Sequence, residues 1–521
     1  MSILDYFRSV ILNPTPAAIF PTLIVLFIVL FFIYYFMALR PRKGTVDWIH
    51  AGMKKDSFSL ISSRYPMEKR DIIPFILIIL VFLFLAVFNL GGANVVDVMT
   101  EITIPAAERP HMRSLYFDEI FFVRTAVEHI EGLRPYEISH PPLGKEIISA
   151  SILTFGMTPL GWRLLGAVCG VIMLAVMYIF IKNMFGNTFV ASCATLLFGF
   201  DFMRFVQTRI GTIDTYCILF ILLAFFFMYR HITTDPDADF RKSLLPLAFS
   251  GLFFGLSFAV KWTGFYAGAG LLLLYIIRLI QLGLHYNSTQ KSGFGLYLTK
   301  TLLFSLLFFV IIPSVIYYLS YIPYGIAAGM SLSDGMLWNP EYFNIILNNQ
   351  IYMFNYHSKL VAEHPFSSYW WQWILNIRPI LYESRMSGDL RATFGSFGNP
   401  VIWWGGIAAM IVMFIRVFIH KDGKAFFILI GYLSQLLPWV AVSRIVFIYH
   451  YFPSTLFIIL AFAHIFNTII KQRDDTGRSI VYGYTVLAGI VFIIFYPQLS
   501  GIYLPGWYFK DVLKWFITWP F

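Results

Sequence analysis

Twelve apolar stretches dominate this 521-residue chain, at about 17–39, 73–90, 162–182, 187–205, 210–229, 244–261, 263–280, 301–322, 400–419, 425–442, 445–469 and 479–497. Each approaches or exceeds the ~20 residues with which an α-helix crosses a hydrocarbon layer of roughly 30 Å. Lipid offers backbone N–H and C=O groups no partner, so such stretches must close their hydrogen bonds within a helix. The expectation is an all-α integral membrane protein with about 11–12 transmembrane helices and two long extracytoplasmic loops. Composition excludes a soluble alternative: 13% of residues are charged, against about 25% in soluble chains. Aromatic residues reach 19%, too many for helix cores alone, which places many of them at bilayer interfaces or in a binding cavity.

The net charge of +10 does not point to nucleic acid, because the Lys and Arg residues lie in short segments between apolar stretches rather than in one basic domain. Topology explains them better. The segment after the first stretch carries Arg40, Arg42, Lys43, Lys54, Lys55, Arg64, Lys69 and Arg70, which assigns it to the cytoplasm. Alternation then puts Arg230, Arg241, Lys242, Lys291, Lys300, Lys421, Lys424, Lys471 and Arg473 on the same side. Segments 91–161 and 323–399 fall outside, the first rich in acids, among them Asp97, Glu101 and Glu108, and the second in aromatics such as Trp338, Tyr369 and Trp373. Cys169, Cys193 and Cys217 sit in or beside apolar stretches, where a thiol packs as a small apolar group. Neither a disulfide nor a cysteine-bound metal is expected. The N-terminus lacks a basic region before an apolar run and a small-residue cleavage site, and reads as retained.

In the first outer segment, Tyr116-Phe117-Asp118-Glu119 precedes a stretch with helical periodicity at Ile120, Val123, Val127 and Ile130. One acid can serve as a general base; equally, Asp118 can cap the helix while Glu119 favours its positive end. Adjacent helical residues point about 100° apart, so the two acids serve different partners rather than forming a matched pair. His140-Pro141-Pro142-Leu143-Gly144-Lys145 is a rigid proline corner with a histidine and a lysine on either side; as a bare pattern it is equally a turn that starts the next helix, with both side chains incidental. Arg163, Asp201, Arg204, Arg209, Asp214, Lys261 and Arg444 lie near the outer ends of apolar stretches. A charge at mid-membrane costs at least about 2.5–3.5 kcal/mol, so such groups snorkel, pair or line a wet cavity. Several cations converging on an acidic loop suit a lipid phosphate.

In this order the motifs resemble those of the protein O-mannosyltransferases, within the C-type, polyprenyl-phosphate-dependent membrane glycosyltransferases. The resemblance rests on Phe117-Asp118-Glu119, His140 to Lys145, Trp162-Arg163-Leu164, Arg209 to Asp214, Lys261-Trp262-Thr263-Gly264, His364-Pro365-Phe366 with Tyr369 to Trp373, Gly398-Asn399-Pro400, Arg444 to Tyr451, and Tyr496-Pro497 through Gly501. It covers roughly residues 72–521, leaving 1–71 as an added transmembrane helix and a basic cytoplasmic segment. Eukaryotic members carry an extra soluble domain in the second outer loop. This chain has no room for one, which favours a prokaryotic member.

The resemblance implies transfer of mannose or a similar hexose from a polyprenyl phosphate to Ser or Thr hydroxyls of proteins on the extracytoplasmic side, with inversion at the anomeric carbon. A serine hydroxyl is a poor nucleophile near neutrality and needs a carboxylate to take its proton, whereas a phosphate leaving group needs mainly cations. Asp118 is the candidate base, with Glu119 positioning it or a cation. Arg163, Arg209, Asp214, Lys261, Arg444, His450 and Tyr451 are the candidate phosphate- and sugar-binding residues, and His140 and Lys145 form a supporting loop. Trp370 and Trp371 either bind the acceptor or anchor the loop at the bilayer surface. The expected partners are membrane lipid, the polyprenyl-phosphate sugar and a protein acceptor, with no nucleic acid. No cofactor and no metal are expected, since no His or Cys cluster has metal-ligand spacing. Two alternatives share these features: a related transferase that modifies a lipid or cell-wall glycan, and a transporter of polyprenyl-linked sugar. The second would need no base, and the internal repeats and broken helices common in transporters are not evident.

Overall fold

The computed structural model describes residues 19–39, 64–91, 115, 117–237 and 240–521. Most of the basic segment 40–71 and the acids Asp97, Glu101 and Glu108 therefore lie outside the described residues, as does Tyr116. Ten described helices are long and apolar enough to cross a membrane. One of them, Phe452–Ser500, leaves helical geometry at Arg473 and Asp474 and is thus two helices joined at a kink. The shorter apolar helix Thr188–Phe200 completes the set, so a described helix lies on each of the twelve apolar stretches. The chain is a multi-pass membrane protein.

Local chemistry sets the helix ends. Thr158 accepts a hydrogen bond from the Gly161 amide, Pro159 opens the helix Pro159–Phe185, and Gly186 closes it at a φ of 70°. Asn399 and Pro400 open Pro400–His420 in the same way. Asp422 caps Gly423–Leu436 through the amides of Lys424 and Ala425. The expected span 187–205 stops early because the Asp201 carboxylate caps a new turn, Phe202–Gln207, through the Arg204 amide. The span expected from 445 starts at Phe452, since Ile448–Tyr451 forms a tighter 3-10 turn ahead of Pro453.

Helix Asp214–Ile232 packs along Phe240–Val260, and Phe452–Ser500 packs along Thr188–Phe200. The first helix, Ile19–Ala38, lies against Pro400–His420 and Phe452–Ser500, with the Phe31 ring 4.5 Å from that of Tyr484. Around this bundle the long segments between the apolar helices are themselves structured. Glu119–Ile130 and Leu143–Phe155 form two short helices, and Pro340–Lys359 forms a longer one. The strands Ile380–Ser387 and Leu390–Ser396 make an antiparallel hairpin, extended by Leu504–Pro505, which is an addition to the all-α expectation. Gly388, at a φ of 59°, opens the two-residue turn between the first two strands.

Candidate active site

Asp118 sits at the start of the helix Glu119–Ile130, and its carboxylate makes no capping hydrogen bond. The helix-cap reading therefore fails. Asp118 instead faces a cavity of about 450 Å³, whose wall also carries Glu137, His140, Lys261, Arg444 and Tyr449. The preceding residue, Phe117, holds a φ of 45°. That left-handed conformation costs a bulky residue about 1–3 kcal/mol and persists only where its surroundings enforce it. The Phe117 ring is enclosed by those of Tyr382, His364 and Phe447, with centroids 5.1, 5.9 and 5.9 Å away. Tyr382 comes from the hairpin, so the added sheet helps to aim Asp118.

The two neighbouring acids have separate partners. Glu119 is fully buried and takes a two-pronged salt bridge from Arg163, with Nε and Nη2 each 2.7 Å from a carboxylate oxygen. The Gly211 amide donates to the same carboxylate at 2.6 Å, and Arg163 also donates to the Leu90 carbonyl at 3.1 Å. Glu119 and Arg163 thus tie the helix Glu119–Ile130 to the start of the Pro159–Phe185 helix. Among the described residues the Asp118 carboxylate accepts a single long hydrogen bond, 3.5 Å, from the Tyr449 hydroxyl. Burial pushes its carboxyl up to about 7; Lys261 opposes that rise while Asp214 and Glu137 add to it.

Lys261 follows the helix Phe240–Val260 and donates to Asp214 at 2.8 Å, with its ammonium 5.5 Å from the centre of the Tyr449 ring. Asp214 is therefore the counter-ion of Lys261 and is not part of the cavity wall. Arg444 is half-buried, donates to the Ile445 carbonyl at 3.0 Å, and has no acidic partner among the described residues. It borders three cavities at once. Besides the one holding Asp118, a cavity of about 370 Å³ runs past Lys261, Trp262, Tyr266 and Val442, and one of about 320 Å³ lies beside Tyr369, Trp371, Gln372 and Arg378.

The His-Pro-Pro corner supports this wall. Lys145 is fully buried and donates to the Glu137 carboxylate and to the carbonyls of Glu137 and His140, each at 2.8 Å. Burial alone would raise the Glu137 carboxyl, but Lys145 and His140 outweigh it and hold it well below the usual range. Burial lowers His140 from its ordinary value against the pull of Glu137. Gly144 allows the corner to seat: a Cβ there would lie 2.7 Å from the Ile213 side chain.

The structure brings Asp118, His140, Lys261, Arg444 and His450 together on one cavity wall. His450 stacks between Trp373 and Tyr449, with centroids 5.9 and 4.6 Å away. Arg163, Arg209 and Tyr451 do not join them on that wall. Arg209 donates to the carbonyls of Leu85 and Phe88 at 2.8 and 2.7 Å. Tyr451 is buried against Trp403 and pairs with the Tyr432 hydroxyl at 2.7 Å. Trp371 lines the third cavity, while Trp370 packs on the apolar core. Residues not singled out from sequence also line the main cavity: Glu137, Tyr449, and Tyr352, Tyr356 and His357 from the helix Pro340–Lys359. His357 donates to the Ser139 carbonyl at 2.8 Å, joining the helix Pro340–Lys359 to the His-Pro-Pro corner. The aromatic and polar stripe of that helix was a readable signal, but nothing in the sequence showed which wall it would face.

Two family models match the chain. Residues 104–323 match dolichyl-phosphate-mannose-protein mannosyltransferase, and residues 342–519 match the C-terminal four-transmembrane region of protein O-mannosyltransferase. A Corynebacterium glutamicum protein named polyprenol-phosphate-mannose–protein mannosyltransferase is 26% identical over 436 residues, covering 73% of this chain and 81% of that protein. A Mycobacterium tuberculosis protein of the same name is 23% identical over 444 residues, covering 71% and 81%. Among solved structures, the Saccharomyces cerevisiae protein O-mannosyltransferase Pmt1-Pmt2 complex superposes with a TM-score of 0.73 at 13% identity, over 89% of this chain and 94% of that one. ArnT from Cupriavidus metallidurans gives 0.50 at 12% identity, over 86% and 76%. With its two matched regions adjoining in order and its bundle sharing the yeast enzyme's fold, the chain belongs to the protein O-mannosyltransferase family.

Proposed function

We propose that this enzyme transfers mannose from a polyprenyl phosphate to Ser or Thr hydroxyls of proteins by a single displacement that inverts the anomeric carbon. The observation that carries the reading is the shared cavity, with the Asp118 carboxylate on one side and Lys261 and Arg444 available to a phosphate. The acceptor oxygen attacks the anomeric carbon as its proton passes to Asp118. The bond from that carbon to the phosphate oxygen breaks, and the departing polyprenyl phosphate keeps the electron pair. Lys261 and Arg444 meet the charge developing on that oxygen, the task for which preorganised cations are most effective. This chemistry calls on no metal or cofactor. The cavity along Tyr266 and Val442 gives the prenyl chain a path between helices, and the one beside Trp371 and Gln372 suits an acceptor segment. Purified protein given polyprenyl-phosphate mannose and a Ser/Thr peptide should yield a peptide carrying one hexose by mass spectrometry. A hexose found only on lipid or glycan acceptors would refute the reading.

A base must be ionised to accept a proton, and Asp118 releases its own only around pH 7. Transfer at saturating donor should therefore fall as pH drops below about 7. A profile flat from pH 5 to 8 would exclude Asp118 as the titrating group.

The cavity opens on the extracytoplasmic side in this reading. Arg70, Arg230, Arg241, Arg416, Lys424, Lys471 and Arg478 all occupy the helix ends remote from Asp118 and Arg444, and such basic ends face the cytoplasm. In intact cells an impermeant thiol reagent should label Ser387→Cys and spare Thr476→Cys. The three native cysteines are buried and give little background. The opposite labelling pattern would invert the topology.

A further inference from the structure

At the remote end of the bundle a second large cavity, of about 640 Å³, opens between the start of helix Lys69–Val87, the Gly186-Asn187 junction and both halves of Phe452–Ser500. Helix Pro159–Phe185 runs from the Arg163 end to this one, and its 27 residues span about 40 Å at 1.5 Å per residue, the full depth of a bilayer. Among the described residues its wall carries Arg70, Lys471 and Arg478 and no acidic side chain. Lys471 has no ionic partner among the described residues. Arg70 and Arg478 each lean on one exposed acid, Glu68 and Asp474. Exposed pairs of this kind are weak and yield to a phosphate, which offers a guanidinium a two-pronged contact.

A second feature narrows the ligand. Asn467 lines the cavity, is only 8% exposed, and its side-chain oxygen accepts no hydrogen bond among the described residues. Buried acceptors are almost always satisfied, so this one calls for a donor brought by the ligand. The flanks narrow it further. Outward from Arg70, on the same helical face, come Ile73 and Leu77, 71% and 57% exposed; outward from Arg478 come Tyr482 and Ile493, 61% and 70% exposed. These apolar stripes lead from the cations along the lipid-facing surface, as two acyl chains would.

From the cations, the buried acceptor and the two apolar stripes we infer that this cavity binds an anionic phospholipid with a hydroxylated headgroup, of the phosphatidylglycerol class, at the membrane face opposite the transfer site. The phosphate lies among Arg70, Lys471 and Arg478, a headgroup hydroxyl donates to Asn467, and the acyl chains follow the Ile73 and Tyr482 stripes.

The test uses the full chain, purified in detergent and stripped of lipid, with native mass spectrometry and thermal melting as readouts. Phosphatidylglycerol should be retained as one bound molecule and raise the melting temperature, while phosphatidylcholine and soluble glycerol phosphate should do neither. The double variant Lys471→Gln/Arg478→Gln should lose about tenfold or more in affinity for phosphatidylglycerol, as expected for charge-assisted contacts. Asn467→Leu should remove the preference for phosphatidylglycerol over phosphatidic acid, which has no headgroup hydroxyl. Unchanged affinity in the double variant, or a full melting shift with glycerol phosphate alone, would overturn the inference. Should the double variant fail to fold, an unchanged lipid preference in Asn467→Leu would overturn it as well.

Discussion

Asp118→Asn should cut the single-turnover transfer rate by about 10²-fold or more at saturating donor, with donor affinity and melting temperature close to those of the parent enzyme. The size of the effect follows from the chemistry. Asparagine keeps the shape and the long contact with Tyr449 but cannot take a proton from the acceptor. The fold is spared because the Asp118 carboxylate caps nothing and carries no salt bridge among the described residues. Lys261→Met and Arg444→Ala should differ from this variant by weakening donor binding, since each removes a cation from the cavity wall. A near-parental rate in folded Asp118→Asn would remove this carboxylate as the base. Glu119 is a poor substitute, because both of its oxygens are already engaged by Arg163.

The largest loss of stability should come from Arg163→Met. Arg163 and Glu119 are both almost completely inaccessible. Removing the guanidinium strands a buried carboxylate, and breaking a buried pair on one side costs about 3–5 kcal/mol. Melting in detergent should show a strongly destabilised enzyme, whereas Glu119→Leu/Arg163→Met should recover much of the loss by removing both charges. Donor affinity of the folded fraction should change little. If Arg163→Met instead raised the donor Michaelis constant at unchanged melting temperature, Arg163 would be a phosphate ligand and the structural assignment would fall.

The contrast between these two variants shows how far the sequence could be read. The apolar stretches made the helices legible, because a lipid environment leaves the backbone one solution. The divergence of Asp118 and Glu119 was also legible, from the 100° offset of adjacent helical residues. Which of several arginines would meet Glu119 was not, since Arg163 lies 44 residues away and tertiary packing alone selects it over Arg209. The run Arg444 to Tyr451 is readable as site chemistry, yet only two residues along its tight turn from Tyr449, which lines the cavity, Tyr451 packs away from it against Trp403 and Tyr432. Glu137 is one of many acids in its segment, and nothing in the sequence sets it apart from them until Lys145 and His140 close around it. The hairpin did carry one: Gly388-Asp389 between alternating residues is a hairpin turn pattern, hidden here within a loop read for its aromatics.

Direct displacement at the Asp118 cavity is tested most closely by the anomeric configuration of the first sugar transferred. A stoichiometric amount of polyprenyl-phosphate mannose, labelled at the anomeric carbon, is given to the enzyme with a Ser/Thr peptide, and the glycopeptide is read by NMR after one turnover. One displacement with Asp118 as base predicts a mannose on the hydroxyl oxygen with the configuration opposite to that of the donor. Retained configuration would require a covalent intermediate or a second displacement and would contradict the account.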